Sequence, residues 1–166
     1  MVYSVLVAED EPNIVLSLQF IMKKAGFRVR VAGDGEQAIR EIRKERPDAI
    51  LLDIMLPKRD GFSVCETIKS NPEWSAVKVI MLTAISRDED RQRALGLGAD
   101  DYITKPFAMD HVLRTVEKAL ETTQLRREVR ELRHHLRHEF GFDRVIGRHE
   151  SMLKLFDIVR DVAQGN

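Results

Sequence analysis

The chain has 166 residues, 43% hydrophobic and 33% charged, enough for one compact domain with an appendage and too apolar for wholesale disorder. Lysine plus arginine and aspartate plus glutamate each number 27, a formal net charge of +0, so nothing electrostatic directs this chain to nucleic acid or anionic lipid. The apolar runs are too short to span a bilayer, the single Cys65 has no internal partner, and Glu9-Asp10-Glu11 arrives too early for a signal peptide, which together predict a cytoplasmic protein.

From Tyr3 to about Leu120, short β-branched runs alternate with amphipathic stretches. Tyr3–Ala8, Arg28–Ala32, Ala49–Asp53, Val77–Thr83 and Asp101–Thr104 read as five strands, the central ones apolar almost throughout, as strands buried on both faces are. Between them Asn13–Ala25, Gly35–Glu45, Gly61–Ser70, Asp88–Leu97 and Met109–Leu120 carry apolar residues at helical spacing. Ile14, Leu18, Ile21 and Met22 form one stripe, and Ala38, Ile39 and Ile42 another. Gly26 suits a helix C-cap, and Pro47 closes the second helix pattern. Strict β–α alternation predicts an α/β fold, a doubly wound five-stranded parallel sheet of flavodoxin-like type with a long C-terminal linker helix.

In such sheets function collects beyond the C-terminal strand ends. There the sequence places Glu9 and Asp10 after the first strand, Asp53 at the end of the third, Thr83 at the end of the fourth and Lys105-Pro106 after the fifth. Any one of these alone is most often a cap or a solvated loop residue. Their recurrence at successive strand ends favours a shared site. Clustered carboxylates repel unless a cation joins them, and hard oxygen donors suit Mg²⁺. An ion there screens Asp53 so that its carboxylate can attack an anionic phosphoryl group. Lys105 supplies fixed positive charge for the transferred group, and Thr83 a hydroxyl donor.

These residues sit in Val5-Leu-Val-Ala-Glu-Asp-Glu-Pro, Leu51-Leu-Asp-Ile-Met-Leu-Pro with Asp60-Gly61, Met81-Leu-Thr-Ala, and Gly98-Ala-Asp-Asp-Tyr-Ile-Thr-Lys-Pro-Phe. From Val2 to about Leu120 the chain resembles the receiver domain of two-component response regulators. The resemblance implies that Asp53 accepts phosphate from a sensor histidine kinase. It implies that Glu9, Asp10, Asp53 and the main-chain carbonyl of Met55 serve Mg²⁺, with Asp10 the direct ligand and Glu9 acting more through water. Lys105 then pairs with the phosphoryl group, and its bond to Pro106 is cis. Thr83 and Tyr102 form the implied switch, Thr83 turning to the phosphoryl group and Tyr102 rotating inward behind it. A static core aromatic is the plainer reading of Tyr102.

After Leu120 the texture changes. Glu121–Glu139 lacks Gly and Pro, and Leu125, Val129, Leu132 and Leu136 recur as a heptad-like seam. Leu113, Val116 and Leu120 make a similar stripe one phase earlier. A seam with nothing local to cover it predicts a parallel homodimer through the fifth receiver helix and the linker helix. His134 and His138 lie one turn apart but lack a third ligand type nearby, so metal binding there is disfavoured. The arginine row at 126, 127, 130, 133 and 137 is nearly neutralised by Glu121, Glu128, Glu131 and Glu139, so a solvated face is the better reading.

Phe142-Asp-Arg-Val-Ile-Gly-Arg-His-Glu-Ser-Met, followed by Leu153, Leu155, Phe156, Ile158, Val159 and Val162-Ala163, is similar to the opening of an AAA+ sigma-54 activator ATPase domain. No G-x-x-x-x-G-K-[ST] pattern occurs in the sequence, so no P-loop ATPase activity is expected of this chain. The division expected is 1–120 receiver, 121–140 linker and dimerisation helix, and 141–166 the start of an ATPase domain. The resemblance is to an NtrC-like activator whose longer parent contacts sigma-54 RNA polymerase and DNA. A stand-alone phosphotransfer or adaptor protein is the alternative. A small-molecule phosphohydrolase is a weaker one, because Met55 stands where a second acidic residue is needed. The chain is expected to be a phosphoacceptor and not an enzyme.

Overall fold

The structure is a computed structural model that describes residues 2–84 and 87–139, apart from the side chains of residues 123, 126, 127 and 134–139. The elements alternate strictly: β1 (Ser4–Ala8), α1 (Pro12–Lys24), β2 (Arg28–Ala32), α2 (Gly35–Lys44), β3 (Ala49–Asp53), α3 (Gly61–Ser70), β4 (Lys78–Thr83), α4 (Asp88–Gly96), β5 (Asp101–Thr104) and α5 (Met109–Glu139). The boundaries match the sequence reading to within about a residue, and α5 runs on through residues 121–139, read as the linker helix. The five strands are all parallel in the order β2-β1-β3-β4-β5. This is the expected flavodoxin-like sheet.

Side-chain alternation along the strands divides the core in two. Leu6, Ala8, Ile50, Leu52, Val79 and Met81 face α2 and α3, where Ala38, Ile39, Ile42, Phe62, Val64, Cys65 and Ile68 cover them, with Ala94 of α4. Val5, Val7, Ala49, Leu51, Ile80 and Leu82 face the other way, against Leu18 and Met22 of α1 and Val112, Val116 and Leu120 of α5. β1, β3 and nearly all of β4 are buried at every position, which explains their unbroken apolar character.

The edge strand β2 is different. Arg28 and Arg30 alternate with Val29 and Val31 and pair with Glu45 and Glu41 of α2. Charged side chains of this kind protect an open sheet edge from further pairing.

Helix starts are set locally. Asp34 caps α2 by accepting from the Gln37 N–H at 2.7 Å, and Asp60 caps α3 through the Ser63 N–H at 3.1 Å. Pro12 opens α1, where a missing N–H costs nothing. Among the described residues no helix is long and apolar enough to cross a membrane.

The stripe Leu113, Val116 and Leu120 requires a correction. Val116 and Leu120 are buried in the domain's own core at 0% and 2% exposure, and Leu113 packs against it. Val116 and Leu120 face the sheet and leave no side chain for a dimer seam, whereas Leu113 is only partly covered. Leu125, Val129 and Leu132 lie within the second compact unit, Thr123–Asn166, and are 62%, 46% and 63% exposed. The side chain of Leu136, the histidine pair and the ATPase-like segment lie outside the described residues.

Candidate functional site

The strand order reverses at β1, which lies between β2 and β3, and a crevice at such a point is where parallel sheets bind ligands. Glu9 leaves β1 directly, its N–H donating to the Ala32 carbonyl at 3.0 Å. Asp53 ends β3, and the next N–H, that of Ile54, donates to the Leu82 carbonyl at 3.0 Å, fixing the end of β3 against β4. Thr83 ends β4 and is fully buried. Lys105 follows β5 and its own N–H donates to the Thr83 carbonyl. The Lys105–Pro106 peptide is cis.

These strand ends bring Glu9, Asp10 and Asp53 together, with one carboxylate oxygen from each within 4.8 Å of the others. Glu9 and Asp53 are 1% and 3% exposed, whereas Asp10 lies open to solvent. Lys105 Nζ reaches Asp53 Oδ2 and Glu9 Oε2 at 2.8 Å each, with Glu11 Oε1 at 3.7 Å. Met55 follows on the loop after β3, and its N–H donates to Asp53 Oδ1 at 3.1 Å. Tyr102 is partly buried and packs against the core face that holds α2 and α3.

Burial raises the Glu9 carboxyl above its ordinary pKa and the Asp53 charge adds to this, although Lys105 partly opposes both. Burial pulls the Lys105 ammonium down, but its contacts with the Asp53 and Glu9 carboxylates outweigh that and leave it above its usual range. Three carboxylates against one ammonium leave a negative excess in a largely buried crevice. Glu9 Oε2 is buried without an aligned hydrogen-bond donor, its contact with Lys105 being ionic. An under-satisfied acceptor among hard oxygen donors, one side open through Asp10, fits a small divalent cation.

Sequence reasoning missed three features around this crevice. Glu11 stands at its mouth beside Lys105. A Cβ on Gly61 would lie 2.2 Å from the Asp53 carbonyl oxygen, so α3 starts against the end of β3 in a way only glycine permits. The Asp34–Gly35 turn touches the loop that follows Asp53, with Lys58 Nζ 2.6 Å from Asp34 Oδ2. The visible signal for the last two was an Asp-Gly pair ahead of a helix, at 34–35 and 60–61.

Comparison with known proteins agrees with this geometry. The family model "Response regulator receiver domain" matches residues 5–117. The Bacillus subtilis alkaline phosphatase synthesis transcriptional regulatory protein PhoP is 40% identical over 121 residues, 73% of this chain and 50% of that protein. The chain therefore spans about half the length of that curated relative. Among solved structures, the BeF3-activated DrrB receiver domain is 32% identical with a TM-score of 0.67, over 73% of this chain and 99% of that one. NtrX from Brucella abortus, solved with ADP, is 33% identical with a TM-score of 0.71, over 80% of this chain and 29% of that one. The chain belongs to the response regulator receiver domain family of two-component signal transduction.

Proposed function

We propose that Asp53 is the phosphoacceptor of this receiver, taking a phosphoryl group from a sensor histidine kinase with Mg²⁺ as cofactor. The observation that carries the reading is the meeting of Glu9, Asp10 and Asp53 around Lys105 at the strand ends. Asp10, Asp53, the Met55 carbonyl and, through water, Glu9 would hold the ion, which when bound screens the carboxylates from an incoming anion. An Asp53 carboxylate oxygen attacks phosphorus, forming the acyl phosphate as the P–N bond of the donor phosphohistidine breaks. Lys105, positioned between Asp53 and Glu9, turns its ammonium to the phosphoryl oxygens that carry the transferred charge. Thr83 donates its hydroxyl to the same group, and Tyr102, at the margin of the core, turns inward behind it as the switch. The chain is a phosphoacceptor and not a turnover enzyme.

The output belongs to the same proposal. Residues 1–120 form the receiver, 121–140 a linker helix and 141–166 the start of a sigma-54 activator ATPase domain, placing the whole protein in the NtrC-like class. Support comes from the segment Phe142–Ala163 and from the similarity to NtrX, which extends over 80% of the chain. In this reading Leu125, Val129, Leu132 and Leu136 pair two copies, and phosphorylation changes that packing. Contacts with sigma-54 RNA polymerase and DNA belong to the longer protein, and its place is the cytoplasm.

The test is the sedimentation mass of the chain and of Asp53→Ala, with and without Mg²⁺ plus beryllium fluoride, alongside intact mass after phosphorylation. A change confined to the wild type supports both acceptor and dimer switch. Phosphate on Asp53 with unchanged mass removes the dimer switch alone. Absence of phosphorylation overturns the acceptor assignment.

A further inference from the structure

We propose that the Asp34–Gly35 turn at the start of α2 is a positioning element for the acceptor site, acting on Asp53 through the loop of residues 54–60. The inference rests on the reading of Asp53 as phosphoacceptor and adds residues that touch neither metal nor phosphoryl group.

The loop is held at three places. At its start, Met55 N–H donates to Asp53 Oδ1 at 3.1 Å. At its end, Gly61 N–H donates to the Ile54 carbonyl at 2.9 Å. Its tip rests on α2. There the Gly35 N–H donates to the Pro57 carbonyl at 3.2 Å, and Lys58 Nζ pairs with Asp34 Oδ2 at 2.6 Å.

The approach is close enough to be exclusive. A Cβ on Gly35 would lie 2.0 Å from the Arg59 carbonyl oxygen, and backbone cannot yield as a flexible side chain can. Lys58 itself adopts φ 64°, a left-handed conformation that a lysine rarely takes without restraint. The hydrogen bond from its ammonium is the main cause of the lowered pKa of Asp34. The same Asp34 caps α2 through Gln37, so one carboxylate joins the helix start to the loop tip. Held at both ends and the tip, the loop has little freedom to move the Met55 main chain relative to Asp53.

The experiment uses the whole 166-residue chain and two readouts. The first is amide hydrogen exchange in the metal-free protein, followed at Met55, Gly61 and, as a global reference, Leu51. The second is a Mg²⁺ titration. Lys58→Met leaves the Asp34 cap intact and should speed exchange at Met55 and Gly61 by about two- to fivefold, the range of one partly exposed ion pair. Leu51 should be unchanged, and Mg²⁺ affinity should fall by a similar factor. Lys58→Arg should restore both. Gly35→Ala should have the larger effect, about tenfold or more, because backbone must shift; should it not fold, Asp34→Asn, which keeps an oxygen for the cap, replaces it. Exchange and affinity equal to wild type in Lys58→Met overturn the proposal, as does a rise at Leu51 that matches the loop, which marks general destabilisation. A wild-type chain that binds no Mg²⁺ overturns the acceptor reading instead, and the exchange data still decide whether Asp34 and Gly35 hold the loop.

Discussion

Lys105 Nζ stands 2.8 Å from Asp53 Oδ2 and 2.8 Å from Glu9 Oε2, so a single ammonium neutralises carboxylates from two neighbouring strand ends. It lies among the carboxylates of the crevice, and a divalent cation bound there would have to share them with it. Lys105→Met should therefore destabilise the metal-free chain by about 3 kcal/mol, the cost of leaving buried charge without its partner. Added Mg²⁺ should raise the melting temperature of the variant by more than that of the wild type. Equal increments would show that lysine and cation do not compete.

Acid should find a second weak point at the opposite end of the sheet. Asp100 accepts from Lys69 and Lys78 at 2.7 and 2.9 Å and from the Val79 N–H at 2.9 Å. Burial works to raise its pKa, but these donors outweigh it and hold it below the ordinary carboxylate value. A carboxylate depressed in the folded state contributes stability that is complete above its unfolded pKa and is lost as pH falls through its folded one. Asp100→Asn should flatten the acid limb of the stability profile below about pH 4 and cost about 2 kcal/mol at neutral pH. Denaturant melts at stepped pH check both.

Three glycines should respond with different signs and sizes. Gly61→Ala pushes a Cβ against the Asp53 carbonyl and should cost about 3 kcal/mol. Gly26→Ala meets no atom within 4 Å but must hold φ 89°, at about 1 kcal/mol. Gly96→Ala, at the end of α4 in open space, should stabilise by about 0.8 kcal/mol. Urea midpoints at constant m-value report all three.

Two leucines five residues apart on α5 should separate core from seam. Leu120→Ala removes a buried side chain and should cost about 3 kcal/mol. Leu125→Ala, 62% exposed, should change monomer stability by less than about 0.5 kcal/mol. If the seam pairs two copies, Leu125→Asp with Leu132→Asp should lower the sedimentation mass to that of one chain without altering the receiver's melt. A mass unaffected by both aspartates excludes that seam.

Most of the sheet was legible because burial on both faces leaves a plain mark: Ala49–Leu52 admits no polar residue before Asp53. Glu9, Asp53 and Lys105 were legible for a related reason, since a charge that closes an apolar run at a strand end stands out from it in the sequence. The stripe Leu113, Val116 and Leu120 was misread because helical spacing tells which residues share a face and not what covers it. The sheet covers them. Contacts between distant backbones leave no period at all. Gly35 against Arg59 and Asp100 between Lys69 and Lys78 depend on the folded path, and only the Asp-Gly pairs hinted at the first.

The crevice draws its groups from residue 9 to residue 105 and from the ends of three strands, β1, β3 and β5. No smaller piece of the domain assembles it. The site therefore reports on the integrity of the whole sheet: fraying of β5 removes the lysine, and slippage of β3 against β1 separates the carboxylates. A cation or phosphoryl group that binds only the assembled crevice should protect even the slowest-exchanging amides of β1 and β3, remote from any contact with it. A ligand bound at this rim would thus also be a lock on the global unfolding of the domain.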